Sequence, residues 1–91
     1  MQPRKRPPLP PGVKSLAEFG RIMAWGRGDE AARERAESIT IAELRAMRME
    51  ANVARIWRDL YLREKARNPS NPSAAGRAEL MQRVIDLVGQ A

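Results

Sequence analysis

The residues best suited to chemistry gather in one stretch: Arg58, Asp59, Tyr61, Glu64, Arg67, Asn68, Asn71, Ser73 and Arg77. Two Asn-Pro pairs, Asn68-Pro69 and Asn71-Pro72, fix a tight polar connection. A helix beginning at Ser73 then offers free N–H groups and the positive end of its dipole, both of which attract phosphate. Arg67 and Arg77 flank that spot. Phosphodiester cleavage here needs guanidinium groups for the negative charge developing on phosphorus, and a carboxylate or phenol for proton transfer. Asp59 or Glu64 suits the base, and Tyr61 can position or protonate. The candidate catalytic set is therefore Arg58, Asp59, Tyr61, Glu64, Arg67 and Arg77. The same residues also have structural uses. Asn71 and Ser73 are helix caps, the prolines stiffen a turn, and Asp59 with Arg63 is an i,i+4 pair worth about 0.2–0.5 kcal/mol.

A second constellation surrounds Gly26-Arg27-Gly28, with Arg21, Trp25, Arg27 and Arg33. An aromatic beside arginines can stack on a base while the guanidinium groups hold the backbone. The competing reading makes Trp25 and Trp57 core and the glycines a C-cap. Adding Arg21 gives a candidate nucleic-acid or anion-binding set of Arg21, Arg67, Asn68, Asn71, Ser73 and Arg77. Asp29, Glu30, Glu34 and Glu37 carry enough oxygen for a hard metal. Arg33 and Arg35 interleave with them, which reads as a self-paired surface, so no metal is expected.

Composition narrows the chemistry further. The 91 residues contain no histidine and no cysteine, which removes the commonest general base, thiolate and imidazole metal sites, and Ser-His-Asp or Cys-His machinery. No cofactor is expected. The longest stretch without a charge is Asn68–Gly76, so no membrane span is expected. The net charge is +6, and Arg4, Lys5, Arg6 and Lys14 supply most of it from a segment without acids. Fourteen arginines against three lysines favour planar contacts to phosphate or carboxylate, although GC-rich coding produces the same excess.

The elements that must position these residues are helices. Ser15 with Glu18 and Thr40 with Glu43 read as capping boxes. Leu16, Phe19, Ile22 and Met23 recur at helical spacing before Gly26-Arg27-Gly28 stops the first helix. Asp29 caps a polar second helix to about Glu37, and a third carries Ile41, Leu44 and Met47. The fourth, from about Glu50 to Arg67, places Val53, Ile56, Trp57, Leu60 and Tyr61 on one stripe. Asn71-Pro72-Ser73 opens a fifth, with Leu80, Met81, Val84, Ile85 and Val88 on its apolar face, ending near Val88-Gly89. The fold class is all-α: a compact bundle of four to five short helices over residues 14–91. Residues 1–13, with five of the seven prolines, form a basic, extended arm, either a linker or a basic-x-x-P-x-x-P peptide ligand.

Several strings resemble a small C-terminal toxin cassette of bacterial polymorphic effectors of the Rhs-type and contact-dependent kinds. They are Gly12-Val13-Lys14-Ser15, Phe19-Gly20-Arg21, Trp25-Gly26 and Trp57-Arg58-Asp59-Leu60-Tyr61. The most specific is Arg67-Asn68-Pro69-Ser70-Asn71-Pro72-Ser73-Ala74 followed by Gly76-Arg77-Ala78. The resemblance implies an antibacterial toxin, secreted or delivered into the cytoplasm of a target bacterium, and neutralised by a cognate immunity protein. It assigns no catalytic residues. The arginine-rich, histidine-free composition makes nucleic acid the expected target, RNA ahead of DNA. The alternative is a non-enzymatic helical module that binds DNA or a partner protein.

Overall fold

A computed structural model describes residues 7–90, which form α1 (Leu16–Met23), α2 (Gly28–Ser38), α3 (Ile41–Ala46), α4 (Ala51–Arg67) and α5 (Ala74–Gln90). There is no strand among the described residues, so the fold is all-helical as the periodicity predicts. Among the described residues no helix is long and apolar enough to cross a membrane. Arg4, Lys5 and Arg6, the basic half of the expected arm, lie outside the described residues.

Local chemistry sets most of the helix ends. The Ser15 hydroxyl accepts from the Glu18 N–H at 3.1 Å, while the Glu18 carboxylate reaches back to the N–H of Lys14 rather than Ser15. At α3 the Thr40–Glu43 box is complete, with both reciprocal bonds formed. α1 stops at Met23 because Ala24 turns left-handed (φ 51°) and its N–H closes onto the Gly20 carbonyl. The Gly26–Gly28 run therefore lies beyond the helix end and leads into α2. Asp29 does not cap α2. Arg27 holds the N-cap position without a side-chain bond, and the first amides are answered by the distant segment that opens α5. The Gly28 N–H donates to Ser73 Oγ at 3.0 Å, and the Asp29 N–H to the Pro72 carbonyl at 2.8 Å.

α5 lies at the centre of the packing and touches α2, α3 and α4. Its Leu80, Met81 and Val84 are fully buried, facing a core that includes Phe19, Met23, Leu44 and Met47. Each such side chain contributes about 1.5–3 kcal/mol through removal from water. On α4 the buried face is Val53, Ala54, Trp57 and Tyr61. Ile56, expected on that stripe, is 45% exposed, because α4 is rotated so that Ala54 faces inward instead. Phe19, Trp25, Trp57 and Tyr61 make an aromatic cluster with ring centroids 5.2–6.1 Å apart. The segment before α1 lies against this body. The Trp57 indole N–H donates to the Pro8 carbonyl at 2.7 Å, Pro10 and Val13 are buried, and the Gly12 N–H donates to the Met47 carbonyl.

Two further contacts lock the helices together. Arg35 of α2 covers the end of α1 by donating to the Ile22 and Met23 carbonyls, and it also pairs with Glu43 of α3. At the α2–α5 crossing, a Cβ on Gly76 would lie 2.4 Å from the Asp29 carbonyl oxygen, so only glycine fits. Gly76→Ala is expected to force these helices apart at a cost of about 2 kcal/mol or more. Calorimetry should then show a melting temperature lower by about 10 °C. The Arg35 guanidinium holds the Glu43 carboxyl below its ordinary value, chiefly through their hydrogen bond. That stability is present above about pH 4.5 and is lost as pH falls through the depressed value. Glu43→Gln should therefore flatten the fall in melting temperature as pH drops below about 4.5, the ordinary value from which the carboxyl is depressed.

Candidate functional site

The turn between α4 and α5 builds the site. Asn71 Oδ1 accepts from the N–H groups of Ser73 and Ala74, which starts α5, and Asn68 Oδ1 accepts from Ser70. The hairpin this makes brings Tyr61 and Glu64 of α4 against Asn71, Ser73 and Arg77. Together with Leu60 and Ala74 they line a cleft of about 230 Å³. Five of the residues singled out in the sequence thus meet in one place.

Arg77 forms one wall. Its guanidinium carbon lies 5.1 Å from the centre of the Trp25 ring and 5.9 Å from that of Tyr61, within cation–π range. One terminal nitrogen donates to the Gly26 carbonyl at 2.9 Å, and the Nε–H is buried without a partner among the described residues. Burial pushes the Tyr61 phenol above its ordinary value, with the nearby Arg77 charge opposing the rise. Tyr61 is therefore a neutral donor at physiological pH.

The other predicted residues are placed differently. Arg67 is exposed and paired with Glu64, at the edge of a neighbouring depression lined by Leu60, Arg63, Glu64 and Arg67. Arg58 and Asp59 do not reach the cleft. They pair with each other at 3.0 Å, and Arg58 lines a separate groove with Leu62, Lys65 and Gln82. Asp59 is turned about 200° around the helix from Tyr61, while Arg58, one turn before Tyr61, is drawn into the groove by its bonds to Asp59 and Gln82. Arg21 is exposed on α1 and does not line the cleft. Trp25 is half-buried in the aromatic cluster, Trp57 is core, and Arg33 pairs with Glu79. Among the described residues no three acidic side chains come close enough to hold a metal ion.

The expected anion site at the start of α5 is filled from within the chain. The N-termini of α2 and α5 abut, which brings two positive dipole ends together. The Asp29 carboxylate belongs to the first turn of α2 and accepts from the Gly76 N–H of α5 at 2.7 Å. One side chain thus supplies negative charge to both ends. Sequence reading missed this use of Asp29 and the shelf that Trp25 gives Arg77. The available signal was the co-occurrence of Trp25-Gly26 with the Asn-Pro-Ser-Ala…Gly-Arg-Ala string, since these two strings interlock in space. Asp29→Ala is expected to cost about 1–2 kcal/mol, combining a lost charged hydrogen bond with lost dipole compensation. Millimolar sulfate should raise the melting temperature of that variant more than that of the wild type, whose gain measures the general salting effect.

The comparisons agree with this architecture. An NMR structure of a protein from Acinetobacter baumannii is similar, with a TM-score of 0.72 and 36% identity, covering 96% of this chain and 84% of that one. No curated protein matches the sequence significantly. Residues 1–88 match the family described as a domain of unknown function, DUF4951. That match spans the helical body from the Pro-rich segment to the last turns of α5, and the chain belongs to the DUF4951 family.

Proposed function

We propose that this chain is the toxin domain of a delivered antibacterial effector, that it engages nucleic acid, RNA ahead of DNA, at the cleft between α4 and α5, and that a cognate immunity protein neutralises it by direct binding. The observation carrying the reading is the convergence of Tyr61, Asn71, Ser73 and the fixed Arg77 guanidinium on one cleft. Arg63 and Arg67 beside it extend the cationic surface along α4. The delivered-toxin context rests on the strings that resemble polymorphic effector cassettes.

The arrangement favours holding an anion over cleaving one. Glu64, the best-placed base, is occupied by Arg67, and Asp59 is paired with Arg58 away from the cleft. Asn71 and Asp29 consume amides of the α5 N-terminus that would otherwise receive phosphate. Binding and catalysis predict opposite effects for one substitution. Glu64→Gln removes a negative charge beside a bound backbone, worth about 1 kcal/mol at a solvated surface. By fluorescence anisotropy, the variant should bind a short single-stranded RNA about fivefold more tightly while still arresting bacterial growth. Arg67→Ala should weaken binding and lower the salt slope by about one. Abolition of the arrest by Glu64→Gln, in a variant that melts like wild type, would convert the reading to catalysis. Normal growth of cells accumulating the full chain without an immunity partner would overturn the toxin assignment.

A further inference from the structure

A separate face of the α4–α5 pair carries a groove that the nucleic-acid reading does not use. It is bounded by α4 and α5, with Arg33 of α2 at its rim, and encloses about 350 Å³. Leu62, Ala75 and Ala78 line it, and Leu62 of α4 is 50% exposed. Three cations, Arg33, Arg58 and Lys65, surround this apolar floor with a single lining carboxylate, Glu79. We propose that the groove is a docking site for an acidic amphipathic segment of a partner protein, one that seats apolar side chains on Leu62, Ala75 and Ala78.

Two physical arguments select this occupant. An apolar floor gains nothing from phosphate or ribose, whereas it gains from burying aliphatic or aromatic side chains spaced at i and i+3 or i+4. The rim has cationic donors in reserve. Lys65 donates one bond, to the Pro69 carbonyl at 2.7 Å, and has no carboxylate partner among the described residues. Arg58 donates through Nε and one terminal nitrogen, to Asp59 and Gln82, and its other terminal nitrogen makes no bond among the described residues. The Arg33–Glu79 and Arg58–Asp59 pairs are solvent-exposed, so exchanging a partner costs little. Asp or Glu flanking the apolar anchors would meet these groups, while Lys or Arg would be repelled.

The groove and the cleft lie on different faces of the α4–α5 pair and share no lining residue, so this inference stands or falls independently of the toxin reading. A peptide-display selection on the full-length protein tests it, using L62E as the counter-target. Leu62 is half exposed, so this substitution should leave the melting temperature unchanged. Enriched peptides are expected to be acidic and amphipathic. They should lose at least tenfold in affinity against L62E and against K65E, and several-fold on raising salt. No enrichment, enrichment of basic peptides, or binding unaffected by L62E would overturn the proposal. Competition of the selected peptides by single-stranded RNA would overturn it too, because it would place them in the cleft.

Discussion

The fold depends on an N-terminus meeting an N-terminus. Helix ends of the same polarity repel, and each leaves amides in need of acceptors. α2 and α5 resolve both problems at one junction. Ser73 Oγ and the Pro72 carbonyl serve Gly28 and Asp29, while the Asp29 carboxylate serves Gly76 and lends charge to both helices. Contact this close requires the bare Cα of Gly76. Arg77, one residue on, reaches the Gly26 carbonyl and adds a further tie between the same two segments. An internal carboxylate here takes the place an external phosphate would occupy.

That junction also fixes the aromatic wall. With Arg77 anchored on Gly26, its guanidinium lies across Trp25 and Tyr61, and these rings continue into Trp57 and Phe19. The cleft wall is thus an extension of the core, and it is rigid for that reason. Its cation has little freedom to follow a reacting group, which suits recognition better than acid–base chemistry. Glu64 and Arg67, on the exposed rim, are the adaptable members of the site.

Much of the fold was legible because its causes are local. Ser15, Thr40 and Asn71 act on amides within three residues, so the helix starts they define could be read directly. The convergence of Tyr61 with Asn71, Ser73 and Arg77 was legible for a related reason, since one short turn connects them. Asp29 was misassigned because its partner Gly76 is 47 residues away and no local rule points there. Ile56 and Ala54 exchange roles because neighbouring helices, not the apolar pattern, set the rotation of α4. Asp59 is close to Tyr61 in sequence but on the far side of the helix, and Arg58 is held away from the cleft by Gln82 of α5. The site reading treated the loop as a source of free donors, whereas tertiary structure had already engaged them.

The reciprocal junction also constrains how the chain folds. The α4–α5 hairpin is built from near neighbours, yet the first turn of its second helix is completed only when a segment dozens of residues upstream arrives. Neither α2 nor the beginning of α5 can be finished alone, so the two must consolidate in one late, cooperative step with its own loop-closure cost. Amide protons of Gly28, Asp29 and Gly76 then share a single opening event, despite belonging to helices far apart along the polypeptide.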